Sequence, residues 1–198
     1  LPLVIEFPNG SEGATLFHAT GALCSAPQIS RAAAGSGFLN AAPDSDGRMR
    51  RIPAVIEQGK RYYPSLSLAA LAVGSRWSTV RLEANRRGAS RLHLDGRAIP
   101  LEGPGLMRLR FRGTRRTFSY VPAADVLAGR AAPGLLRGRI AIVGGTAAGL
   151  ERPVAVPVDP VFPGVELQAT VLDNLLAGDF FTRPGSARSE TPRRQWLA

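Results

Sequence analysis

One succession near the C-terminus restricts the folding choices of this chain more than any other feature. "RGRIAIVGG" places an uninterrupted apolar run at residues 140–143 between glycines, the kind of strand that is buried on both faces in a parallel sheet. "PGVELQATVLDNLLAGDFF" follows after a loop. Pro163 and Gly164 enter a helix there, Val165, Leu167, Val171, Leu172, Leu175 and Leu176 load one side of it, and Gly178 ends it. A strand, a loop and a helix in that order point to an α/β fold. The expected architecture is a mixed, largely parallel central sheet with helices packed on it, plus β-hairpins.

The rest of the chain supplies the pieces. "LPLVIEF" opens with a short β-like run at residues 3–7, and residues 9–37 have little periodicity. "RMRRIPAVIEQGKRYYP" reads as two strands joined at Gln58 and Gly59, with Pro53 confining the first to an edge or a bulge. "PSLSLAALAVG" predicts a helix over residues 64–74, with Leu66, Ala69, Ala70 and Val73 on the face buried against a sheet. "STVRLEA" and "RLHLDGRAIPL" give further strands, and Asp95-Gly96 suits a tight hairpin. "LMRLRFRG" alternates most clearly, with Met107, Leu109 and Phe111 on a core face and Arg108, Arg110 and Arg112 on the other. "FSYVPAADVLAG" passes from strand to helix, with Pro122 in the first turn. Residues 182–198 are rich in Pro and Arg and carry no pattern, so the folded domain is expected to be residues 1–181, with a flexible tail after it.

Bulk properties narrow the function classes. A chain of 198 residues with 44% hydrophobic and 20% charged residues fits one folded domain and excludes a disordered polymer. The net charge of +10 would ordinarily point to nucleic acid or anionic lipid. Lys60 is the sole lysine among 25 basic residues, however, and a GC-rich coding bias toward arginine explains that skew equally well. Cys24 is the sole cysteine; it excludes an internal disulfide and is expected to be a small core hydrophobe rather than a reactive thiolate. No run of roughly 18 apolar residues is present to span a bilayer. The start at Leu1, without an initiator Met or a signal-peptide core, suggests a segment of a longer protein.

Two loops invite a chemical reading. "PDSDG" offers Asp44 and Asp46 as oxygen ligands, but Gly47 comes too early for a calcium loop and Arg48, Arg50 and Arg51 stand where acids are required. An aspartate-glycine turn, with Gly47 at positive φ, explains the stretch better. "IVGGTAAG" resembles the opening of a dinucleotide site, yet Gly144, Gly145 and Gly149 miss the G-x-G-x-x-G spacing, since Thr146 occupies the middle glycine position. A tight turn is the simpler account, and an anion cradle the alternative. No G-x-S-x-G elbow is present, and His18 and His93 alone offer an imidazole base. Two histidines and one cysteine make no standard zinc site without carboxylate help. No catalytic, metal-binding or cofactor-binding residues are therefore assigned, and no cofactor is expected. Arg108, Arg110 and Arg112 lack interleaved aromatics for base stacking, which disfavours nucleic acid; they form either a solvated strand face or an anion-contact face for lipid phosphates or an acidic partner.

Taken in order, "GFLNAAPDSDGRMRRIPAV", "YYPSLSLAAL", "RFRG", "FSYVPAADVLAG" and the long stretch from "LLRGRIAIVGG" to "LLAGDFF" resemble the CHASE-two family, the second class of cyclase- and histidine-kinase-associated sensory extracellular domains. The resemblance covers about two thirds of the chain and implies a bacterial extracytoplasmic sensor, periplasmic or extracellular, in an inner-membrane protein. It implies a membrane helix before the domain and usually several after it, reached through the 182–198 tail. The implied output is a cytoplasmic histidine kinase, nucleotide cyclase, diguanylate cyclase or Ser/Thr kinase, with no enzyme activity in this segment. The family has no catalytic residue set to transfer. A small-molecule or envelope signal is the implied partner, and a homodimer an available assembly. Relatives carry a further α/β portion ahead of the point matching Leu1. The resemblance also makes "PDSDGRMRR" a turn that fixes strand register, with Arg51 pairing an aspartate. Two rival readings stand beside it: a nucleotide- or phosphate-binding α/β enzyme built on "IVGGTAAG", and an anionic-lipid or nucleic-acid binder built on the arginine strand.

Overall fold

A computed structural model describes residues 4–6, 16–76, 79–85, 88–94, 96–147, 149–150 and 153–181. In chain order its elements begin with β1 (Val4–Glu6), β2 (Phe17–His18), α1 (Pro27–Ala32), β3 (Arg51–Pro53), β4 (Val55–Gln58), β5 (Arg61–Pro64) and α2 (Leu66–Gly74). They continue with β6 (Thr79–Asn85), β7 (Gly88–Leu94), β8 (Arg97–Pro100), β9 (Leu106–Arg108), α3 (Ala123–Leu127), β10 (Val154–Val156), β11 (Asp159–Phe162) and α4 (Gly164–Ala177). The tail expected over residues 182–198 and Asp95 of the β7–β8 turn lie outside the described residues.

The strands form several small sheets in place of one large one. The four-stranded sheet has the order β1-β6-β7-β8, β2-β4-β5 makes a second sheet, and β3-β9 and β10-β11 are two-stranded ribbons. Among the described residues, pairing is parallel at β1–β6 and β2–β4 and antiparallel at every other ladder. The expected largely parallel central sheet is therefore corrected to mostly antiparallel pairing in a mixed α/β fold. The run at residues 140–143, expected to supply a buried parallel strand, forms no strand, and the hairpins that were also expected make up most of the ladders. Gly59 and Gly96 take positive φ of 55° and 74°, which closes β4–β5 and β7–β8 as hairpins before any crossover is needed.

Residues 140–143 depart furthest from expectation. They belong to no strand, Ile140 is 47% and Val143 91% exposed, and Ile142 alone packs partly against the core. The composition suits a strand covered on both faces, but a strand also needs a neighbour at its edge, and no described strand stands beside this run. Residues 118–121, expected as a strand ahead of α3, likewise belong to no strand.

The core forms where the inner face of the large sheet meets α2 and α4. Leu82, Leu92 and Leu94 from the sheet, Met107 of β9 and Leu109 just past it, where the expected arginine strand already stops at Arg108, and Leu68 from α2 belong to one buried cluster with Leu167, Val171, Leu172 and Leu175 of α4. Each fully buried Leu or Val is worth about 1.5–3 kcal/mol relative to exposure. α4 buries the expected stripe except that Leu176 is 40% exposed and Val165 only half-buried. On α2 the expected face is rotated: Ser67, Leu68, Ala69, Leu71 and Ala72 are buried, whereas Val73 is 41% exposed. A helix apolar on most sides gives periodicity little to choose between, and a polar contact decides the facing. Ser67 Oγ donates toward Gln168 Oε1 at 2.9 Å and the Gln168 carbonyl at 3.0 Å, so α2 turns its serine to α4. Ser65 caps α2 by accepting from the Leu68 N–H at 3.4 Å.

Cys24 is exposed, which corrects its expected place in the core; it sits in a stretch whose residues 20–36 are all exposed. No helix among the described residues is long and apolar enough to cross a membrane.

Candidate functional site

The aspartate turn is built by its own backbone first. Gly47 N–H donates to the Asp44 carbonyl and Asp44 N–H to the Arg48 carbonyl, both at 2.9 Å, with Gly47 at φ 77°. That geometry projects both carboxylates toward β3. Arg51 pairs with Asp44, and Arg50 reaches Asp44 at 3.1 Å and Asp46 at 2.7 Å. Arg51 Nη1 also lies 3.4 Å from Glu102 Oε2, and Glu102 holds Arg108 at 2.8 Å. A continuous chain of charges thus runs from Asp46 through Arg50, Asp44, Arg51 and Glu102 to Arg108. It ties the turn to both strands of the β3–β9 ribbon. Hydrogen bonds from Arg51, then from Arg50, hold the Asp44 carboxyl below its ordinary range, and the Arg50 side chain together with the Arg48 N–H does the same to Asp46. Arg50 and Arg108 are correspondingly raised, chiefly by Asp46 and by Glu102. Water screens each of these half-exposed pairs, so their value is mostly in fixing register. Arg48 continues the tie to the β10–β11 turn, donating to the Val156 and Pro157 carbonyls at 3.4 Å.

The arginine row is divided between two acidic partners. Arg108 belongs to the network above, whereas Arg110 and Arg112 turn to the C-terminal end of α4. Arg110 pairs with Asp179, and Arg112 contacts Asp173 and Asp179 at 2.7 Å each. The Arg112 hydrogen bond, ahead of that from Arg110, lowers the Asp179 carboxyl, and Asp179 followed by Asp173 raises Arg112. Arg110 also stacks on Phe181 with its guanidinium carbon 5.6 Å from the ring centroid. Arg97, from β8, donates to the Leu176 carbonyl at 2.9 Å, satisfying one of the acceptors that the last helical turn leaves open. The guanidinium groups of this row are thus paired within the chain.

Two buried carboxylates that the sequence did not single out hold the loop after the arginine strand. Glu166, 2% exposed, accepts from the Arg116 and Thr117 N–H groups at 2.9 Å and from the Tyr120 hydroxyl at 2.7 Å. Asp159 accepts from the Arg115 N–H at 3.0 Å and the Val161 N–H at 2.8 Å, and these backbone bonds lower its carboxyl. An acid in the first turn is ordinary for any helix, so Glu166 carries no local mark of its role. Nothing in "GTRRTFSY" marks the donors either, because the φ of 67° at Arg116 that curls three consecutive N–H groups around Glu166 falls on an arginine and not on a glycine.

The glycine loop has a packing explanation. A Cβ on Gly144 would lie 2.8 Å from the Val165 side chain, so the loop presses closely on the first turn of α4, and one on Gly145 would lie 3.1 Å from Leu150 Cβ within the same loop region. Thr146 is exposed, and the loop does not follow a strand. His18 is exposed on β2. His93 Nε2 on β7 lies 2.8 Å from Glu83 Oε1, off the line a hydrogen bond needs, which makes it an ion pair only when the imidazole is protonated. Among the described residues no three His, Cys, Asp or Glu side chains cluster as a metal site would require.

The model of the CHASE2 domain family matches residues 6–198. No curated protein and no solved structure matches the chain.

Proposed function

The chain belongs to the CHASE2 domain family, a family of sensory extracellular domains, and from that premise we propose that it is the extracytoplasmic signal-input domain of a bacterial membrane receptor. On this reading a small-molecule or envelope cue shifts the domain between two conformations, and flanking membrane helices carry the shift to a cytoplasmic kinase or cyclase. The domain itself performs no catalysis.

The observation that carries the reading is the span of the family match over residues 6–198. The geometry supports it in kind. Asp44, Asp46, Glu166 and Asp159 all bind backbone or arginine of this same chain, which is the work of a scaffold. α4 ends on contacts to the segment after β9 and to β8, so a movement of those elements is passed to the residues after Gly178.

Location is tested through Cys24, exposed and the sole cysteine of the chain. In intact cells making the full-length protein, a membrane-impermeant maleimide should label the peptide containing Cys24. Labelling that appears only after lysis would defeat the extracytoplasmic reading. Nucleotides titrated against the purified chain should leave its melting temperature unchanged; a rise would favour the phosphate-binding enzyme instead, because ligand bound to the native state must stabilise it.

A further inference from the structure

We propose that the ion pairs joining Arg110 and Arg112 to Asp173 and Asp179, with Arg97 on the Leu176 carbonyl, form a latch that holds the last turn of α4 as a unit released separately from the rest of the helix. This deepens the sensor reading and rests on it for its biological meaning.

The case begins with where apolar burial stops. α4 is anchored by Leu167, Val171, Leu172 and Leu175, each no more than 5% exposed, and the side chain of Asn174 is locked to the Arg110 backbone. From Leu176 onward the character changes. Leu176 is 40% and Phe181 49% exposed, and Ala177 and Gly178 are exposed. Phe180, half-buried against the core, is the one apolar hold in this stretch among the described residues. Charge supplies the remaining restraint, from Arg97 on β8 and from Arg110 and Arg112 in the segment that follows β9. Gly178, at φ 64° with its N–H on the Asn174 carbonyl, places a left-handed cap where release begins.

Half-exposed ion pairs are individually weak and screened by salt, whereas the apolar stripe below them is not. The two parts of α4 therefore have different stabilities, the condition for local opening without global unfolding. Asp179 is the junction, since it receives both Arg110 and Arg112.

Hydrogen–deuterium exchange of the 198-residue chain tests this directly. Asp179→Asn should raise exchange over residues 176–179 about threefold or more, while residues 167–175 and the β6–β8 sheet keep wild-type protection. Arg112→Gln should do the same, Asp179→Glu should restore protection, and raising the wild-type chain from about 20 mM to about 500 mM salt should reproduce the effect. Asp125→Asn, which breaks the Arg130 pair on α3, should leave α4 unchanged. Unaltered exchange at residues 176–179 would overturn the proposal, as would opening of all of α4 together with the sheet. The measurement needs no cue and no membrane. A cytoplasmic location for Cys24 would sink the sensor reading without touching the latch, and normal exchange in Asp179→Asn would sink the latch while leaving the sensor reading in place.

Discussion

Asn174 pairs with the backbone of Arg110 through both ends of its amide: its Oδ1 accepts the Arg110 N–H at 2.7 Å and its Nδ2 donates to the Arg110 carbonyl at 3.0 Å. A helix side chain thereby takes the place of a neighbouring strand for one residue, just past the point where the β3–β9 ladder ends. Asn174 itself is fully buried. Asn174→Ala removes both partners of the Arg110 backbone and empties a buried site, and should cost about 2–4 kcal/mol in urea unfolding. Asn174→Asp keeps the acceptor but turns a lone pair on the Arg110 carbonyl, and should also destabilise. A loss under about 1 kcal/mol for Asn174→Ala would contradict the assignment.

Gly37 shows a backbone approach that only glycine permits. A Cβ there would lie 2.6 Å from Leu66 Cα and 2.7 Å from the Leu66 nitrogen and the Ser65 carbonyl carbon. All three are backbone atoms, and hydrogen bonds from Phe38 N–H to the Pro64 carbonyl and from Leu66 N–H to the Phe38 carbonyl hold them in place. Gly37→Ala should therefore destabilise by about 1–3 kcal/mol. Gly21→Ala, where a Cβ meets nothing within 4 Å, should melt like the wild type, and equal melting of the two variants would refute the contact.

Acid should unfold the domain through its bound aspartates. Asp44, Asp46, Asp159 and Asp179 are all lowered from the ordinary 3.8 by hydrogen bonds to arginine side chains or backbone N–H groups. The unfolded chain therefore takes up protons first as pH drops, and stability falls with it. The contribution is complete above about pH 5 and is lost progressively below about pH 4, toward the depressed native values. Urea midpoints should hold between about pH 7 and pH 5 as far as these groups are concerned, then decline. A midpoint that stays level down to about pH 3 would show that the carboxylates are not bound as described.

The aspartate turn should be structural in a measurable way. Asp46→Ala removes the bidentate contact from Arg50 and the acceptor for the Arg48 N–H, and should lower the melting temperature by a few degrees at most, because the site is exposed. Asp44→Ala should lower it further, since Asp44 is less exposed and receives both Arg50 and Arg51. Metal analysis should find the same content in both variants as in the wild type. If Asp46→Ala melts unchanged, the turn does not set register.

What could be read from the sequence was local. The alternation of Met107 and Leu109 against Arg108 and Arg110, the hairpin glycines at 59 and 96, and the stripe on α4 all follow from short-range geometry, and the structure keeps them. Residues 140–143 were misread because a run apolar on every side specifies burial but names no neighbour, and strand pairing is a property of two segments. The facing of α2 was missed for a related reason: its deciding contact, Ser67 to Gln168, joins residues 101 positions apart. The same distance problem hid Glu166, whose donors lie 46 to 50 residues away. Arginines and aspartates are legible as charges, but their partners become known only once the chain is folded.

Glu166 offers the sharpest test of that long-range design. Its Oε1 faces the Thr117 N–H, with the Phe118 N–H at 3.4 Å, and its Oε2 faces the Arg116 N–H and the Tyr120 hydroxyl. Every neighbour is a donor, so two acceptor oxygens are required. Glu166→Gln has the right shape but must turn an NH2 group on one of these donor pairs, whichever way the amide is set. The expected cost is about 2–3 kcal/mol, with faster proteolysis in the loop over residues 113–118. Tyr120→Phe deletes one donor and leaves the carboxylate its backbone partners, so it should cost only about 1 kcal/mol. The order of the two losses is decisive: if Tyr120→Phe destabilises more than Glu166→Gln, the loop is held by the tyrosine and not by the buried carboxylate.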